Sequence, residues 1–174
     1  NQSEASYAPQ RWAAMSQANW MFRGVRRLLR EGDVTGAADA GNEALVELIR
    51  APDALVVPLI NLRTVEEPTD IGCAAGSLIS ESSVPHWVLD SQVVDVHLTI
   101  PGDFGVMDLF EVTGGQVATP TNAVGVVGRQ LTIAGVSLDN ATPVRLFVLA
   151  ADPAVRVEVT AALPHSLEGH PVGR

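Results

Sequence analysis

Asp95 and His97 come nearest to a catalytic pair in this chain of 174 residues. Two residues apart on a β-strand, their side chains leave the same face with backbones about 7 Å apart. From there they can share a metal or act as an acid/base pair with a third group, and His86 and Asp90 supply that group if residues 86–90 run alongside. The plainer reading is that the wet face of a half-buried strand carries such polar residues anyway. Cys73, the one cysteine, lies in Ile71-Gly72-Cys73-Ala74-Ala75-Gly76, where a sharp turn would present a nucleophile. A thiolate needs a neighbouring base or cation, and the nearest basic residue in sequence is Arg63. A small buried hydrophobe is the simpler role for it. Asp103, Asp108 and Glu111 lack the dense carboxylate spacing of a calcium loop and read as a solvated turn and strand face. Asp103-Phe104-Gly105 matches a kinase metal tripeptide, but the chain has no lysine to hold nucleotide phosphates. Gly-x-Ser-x-Gly, His-Glu-x-x-His, the phosphate loop and the dinucleotide fingerprint are missing from the sequence.

A second constellation suits binding better than catalysis. Between residues 10 and 30, Arg23, Arg26, Arg27 and Arg30 lie opposite an apolar stripe on a helical wheel, with Trp12 and Trp20 pointing the same way. Arginine and tryptophan are the residues most enriched among the anchors of protein interfaces. The same pair serves phosphates and stacked bases, so nucleic acid is a weaker alternative. A membrane surface is weaker still, because the basic residues span so short a length. This face can also dock on the chain's own acidic surface.

Residues 1–30 hold five arginines and one acid, whereas the remainder holds six arginines and nineteen acids, within a net charge of −9. All eleven basic residues are arginine. Opposite charge at the two ends of one chain favours arm-to-body contact within or between copies. No stretch approaches the ~20 apolar residues of a membrane-spanning helix, so a transmembrane protein is not expected. A lone cysteine and no Cys/His pair at zinc spacing leave apolar burial to hold the fold.

The elements that must position these residues follow from the periodicity. Met15, Ala18, Met21, Phe22, Val25, Leu28 and Leu29 predict one amphipathic helix over 10–30. Gly32 is placed for a left-handed cap, and Asp33 for the N-cap of a second helix reaching about Arg50, which together predict an antiparallel helical hairpin. After Pro52 the pattern becomes strand-like. Val94, Val96, Leu98 and Ile100 alternate with Asp95, His97 and Thr99, and Val155, Val157, Val159 and Ala161 repeat that pattern. Less regular runs cover 55–62, 106–112, 124–127, 130–138 and 144–150, separated by Gly, Pro, Asn and Asp clusters.

The expected fold is α+β and mainly β: a helical arm over 1–51, an antiparallel β-sandwich or jelly-roll-like body of 7–8 strands over 52–163, and an extended tail over 164–174. The expected function is that of a structural or assembly protein with no cofactor. It would be a capsid, decoration or tail-associated component of a virus or phage particle, found in the virion or the cytoplasm, and would contact other copies of itself or a larger shell protein. A stand-alone adaptor or ligand-binding module and a small metal- or Cys-dependent enzyme are the alternatives.

Overall fold

In a computed structural model, residues 9–41, 43–69 and 84–163 are described, with side chains except at 9–15, 67–69 and 84–87. Three helices, α1 (Pro9–Gly24), α2 (Arg26–Glu31) and α3 (Ala154–Ala162), accompany thirteen strands among these residues. The strands are β1 (Asp33–Val34), β2 (Ala38–Asp39), β3 (Ala44–Val46), β4 (Ile49–Arg50), β5 (Ala54–Asn61), β6 (Thr64–Thr69) and β7 (Val84–Leu89), followed by β8 (Gln92–Thr99), β9 (Asp108–Val112), β10 (Val117–Ala118), β11 (Ala123–Val127), β12 (Gln130–Leu138) and β13 (Val144–Ala150). A seven-stranded sheet runs β1-β4-β5-β13-β9-β10, with β3 also paired to β5. A four-stranded sheet runs β11-β12-β8-β2, and β6 and β7 form a separate ribbon. Every pairing is antiparallel. The protein is therefore mostly β, with few helices.

Burial explains which strand patterns were regular in the sequence. Leu55, Val57, Leu59, Phe147 and Leu149 of the large sheet share one buried cluster with Val94, Val96, Leu98, Ile133 and Leu138 of the small sheet. On the other face of the large sheet, Ala54, Val56, Phe110, Val112, Leu146 and Val148 meet Met21, Val25 and Leu28 of the helical arm and Val155 and Val159 of α3. Strands β5 and β13 are thus covered on both faces and read as continuous apolar runs, whereas β8 is covered on one face and alternates. Each large side chain sealed in these layers contributes about 1.5–3 kcal/mol of apolar transfer free energy. Pro58 offers its carbonyl to the amide of Glu47, between the stretches of β5 that pair with β3 and with β4. Its missing N–H faces the break between those two short strands, which is where a proline is tolerated in a sheet.

The arm follows the predicted helix closely but not as one element. α1 and α2 meet at Val25, across which the backbone still bonds from Val25 N–H to Met21 O (3.4 Å) and from Leu29 N–H to Val25 O (3.0 Å).

The helical hairpin is corrected. Residues 33–50 form β1 to β4, which join both sheets. A helix there would carry Gly36 and Gly41 in its interior, at a cost of about 1 kcal/mol each, and pairing with β5 and β8 wins. Gly32 is not a left-handed cap either, since its backbone is extended (φ −96°, ψ 149°). Glycine is needed there for space: a Cβ would stand 2.7 Å from both Leu28 O and Ile49 Cγ2.

The expected strand over 155–161 is also corrected, because this segment is the helix α3. Asp152 accepts a hydrogen bond from the Ala154 N–H (2.8 Å) and Pro153 precedes the first helical residue, both of them helix-start signals. Val155 and Val159 are buried four residues apart while Val157 is 71% exposed, so valine's β preference yields to one-sided packing.

Candidate functional site

The helical arm lies on the large sheet through Met21, Val25 and Leu28, which turns other residues outward. Arg23, Arg26 and Arg30 are exposed, and the Arg30 side chain retains 74% of its accessible surface. Arg23 stands over the Trp20 ring, 5.4 Å from its centroid, so cation and indole form one unit. Arg30 reaches Glu31 only at 3.9 Å. The Trp12 side chain lies outside the described residues.

Arg27 faces inward along the protein surface instead. Its guanidinium donates to Glu158 (2.6 and 2.8 Å), Asp53 (2.8 Å) and Glu31 (3.1 Å), tying α2 to α3 and to the β4–β5 turn. The hydrogen bonds to Glu158 and Asp53 raise its pKa above the ordinary arginine range, against the opposing effect of burial.

Arginines beyond the arm are engaged in the same way. Arg50 grips Asp103 (2.9 and 2.8 Å), Arg156 grips Asp108 (2.7 and 2.8 Å), and Arg63 meets Asp90 (2.8 Å). Arg145 holds Glu111 in a bidentate pair, also bonding Ser137 O (3.1 Å) at one end of the space between the sheets. Arg129 donates to Ile100 O (2.9 Å). Asp103, Asp108 and Glu111, which looked like a solvated acidic group, are therefore three separate arginine partners. The Arg50 hydrogen bond holds the Asp103 carboxyl below the usual aspartate range, and the Arg156 hydrogen bond does the same for Asp108. Only tertiary structure brings these partners together, since their sequence separations of 34 to 53 residues carry no periodic signal.

Asp95 and His97 share the exposed face of β8 as their spacing predicts, but each has local work. The Asp95 carboxylate accepts the Gly135 N–H at 2.7 Å. That amide belongs to a bulge in β12, where pairing with β8 slips between Ile133 and Val136 and Gly135 takes φ +67°. His97 Nδ1 lies 3.0 Å from Thr132 Oγ1, its cross-strand neighbour, and Asp39 is its neighbour on the other side. Asp39, Ala40, Gly41, Val93, Asp95 and His97 line an open depression of about 310 Å³.

Residues 86–90 do not run alongside β8, which corrects the condition for a third group. β7 pairs with β6 and sets His86 opposite Glu67, while Asp90 is held by Arg63. The side chain of His86 and the whole of Cys73 lie outside the described residues. Among the described residues, no three His, Cys, Asp or Glu side chains are grouped to hold a metal ion. None of the described helices is long and apolar enough to cross a membrane.

In comparisons with known proteins, no family model, no curated protein and no solved structure matches this chain.

Proposed function

We propose that this protein is a non-enzymatic assembly subunit that uses the outward face of its helical arm, Trp20, Arg23, Arg26 and Arg30, to contact an acidic surface on another copy or on a larger shell protein. The observation carrying this reading is the exposure of these three arginines in a chain of net charge −9, while five other arginines are spent on carboxylates of their own chain. Such a face steers acidic partners and adds orientation at contact. The two sheets enclosing one apolar cluster support a β-sandwich body, to which residues 33–50 add β1 to β4, so that the arm ends at Glu31 and not at residue 51. The extended tail expected over 164–174 lies outside the described residues. Sandwiches of this size serve widely in shells and tails of viruses and phages, so a capsid, decoration or tail-associated role in a virion is the setting proposed, by fold-level analogy. Trp12 and Arg27 belong to the same sequence constellation, with Arg27 contributing through its grip on Glu158 and Asp53.

Light scattering after size exclusion tests this. The wild-type protein is expected to form a larger species at low salt than at high salt, and replacement of Arg23, Arg26 and Arg30 by Gln is expected to abolish that difference. Association that ignores both salt and the triple substitution refutes the arm contact. The depression beside Asp95 and His97 favours a second reading, a stand-alone binding module. Chemical-shift changes confined to residues 39–41 and 93–97 on titration with small cationic ligands would support that reading over assembly.

A further inference from the structure

We infer that the free edge of β11 is a strand-pairing site for β11 of a second copy of this chain, joining two four-stranded sheets into one across a two-fold axis at Gly125. Among the described residues, β11 pairs with β12 on one side and with no strand on the other. The remaining edges are short, proline-bearing or charged: the stretch of β8 beyond β2, residues 92–96, carries Asp95, and that of β9 beyond β10, residues 108–110, carries Asp108. β1, β2 and β10 have two residues each, β3 has three, and the β6–β7 ribbon carries Pro68 and Pro85, which lack a backbone donor, and Glu66 and Glu67. β11 instead offers five residues, Ala123-Val124-Gly125-Val126-Val127, with no charge and no proline. Open edges of that kind are what pairing between chains uses.

The side chains point to the same contact. Val124 and Val126 stand opposite Ile133 and Leu131, both buried between the sheets, so the two valines face inward. They are nevertheless 43% and 64% exposed. Identity of the occupant follows from sequence and charge. Antiparallel pairing about Gly125 sets Val124 opposite Val126 of the other copy on that inward face, giving an apolar stripe of four valines, and the outward space at Gly125 is open. Two copies with net charge −9 repel wherever carboxylates face each other, yet residues 112–138, which include β10, β11 and β12, contain no Asp or Glu. Within that stretch no carboxylate opposes the approach of a second copy.

The contact is independent of the arm contact proposed above, and salt separates them, because an uncharged strand pair persists where an arginine contact is screened. Sedimentation at about 1 M salt is expected to show a dimer that Val126→Glu converts to monomer. Val127→Lys, at an 81% exposed position, gives the same reading should Val126→Glu fail to fold. In a Cys73→Ser background, Gly125→Cys is expected to give an oxidised dimer, because residues facing each other across the axis lie within disulfide reach. Ala123→Cys is not, since its two copies would be about 13 Å apart along the strands. A monomer at every concentration, a dimer indifferent to both charge substitutions, or equal cross-linking at 123 and 125 overturns the proposal. A dimer lost in salt and abolished only by the arginine substitutions upholds the arm contact and overturns the edge contact.

Discussion

The arginines of the helical arm and those of the sheets occupy opposite physical situations. In the sheets, Arg145 retains 17% of its side-chain surface and Glu111 retains 10%, and the pair closes one end of the space between two layers. On the arm, Arg30 retains 74% and stands 3.9 Å from the Glu31 carboxylate. A charge pair removed from water binds the fold together only while both members are present, since either alone is left uncompensated. An exposed arginine contributes within about 1 kcal/mol to stability, so the fold gives no strong reason for three of them along one face. Arg27 lies between these extremes, partly exposed but ringed by three carboxylates.

Arg145, the most deeply buried of these cations, is where removal costs most. Arg145→Ala is expected to lower stability by about 3 kcal/mol in urea denaturation, and adding Glu111→Leu should recover most of the loss. Gly32→Ala forces a methyl group against Leu28 O and is expected to cost about 1–3 kcal/mol, read from the same unfolding curves. Arg27→Gln should cost about 1 kcal/mol, small because its partners are one-third to one-half exposed. Substituting Arg23, Arg26 and Arg30 together by Gln is expected to change stability by no more than about 0.5 kcal/mol while altering association.

Acid sharpens the same contrast. The Asp108 pKa is depressed by its hydrogen bond from Arg156, so its stabilisation is fully present above the unfolded aspartate value of about 4. It is lost as pH falls below that value and through the lower folded one. Urea midpoints measured from pH 7 to pH 2.5 should therefore fall below about pH 4, and fall less for Asp108→Asn.

Particular segments show how far the sequence could be read. The alternation at 94–100 appears as β8 because one face of that strand is sealed and the other is wet, so burial leaves a period of two. The helix over 10–30 was legible because a single face of it packs. Residues 33–50 were misread because their apolar spacing suited a helix, while the strands that claim them, β5 and β8, lie elsewhere in the chain. Val155 to Ala161 was misread for the converse reason: its valines alternate, but only the pair four residues apart meets the sheet. At the candidate surface, the arginine face of the arm could be drawn on a wheel, whereas the turning of Arg27 toward Glu158, 131 residues away, could not.

By itself, the sequence determined the β-rich class, the amphipathic arm and the positions of most long strands, because these depend on periodic burial, a property of neighbours along the chain. Tertiary structure alone decided which carboxylates Arg27, Arg50, Arg63, Arg145 and Arg156 hold, that Asp95 serves a bulge in β12, and that, among the described residues, β11 ends a sheet with its valines exposed. Those outcomes depend on strand order and register, which bring together residues whose separation along the chain carries no period.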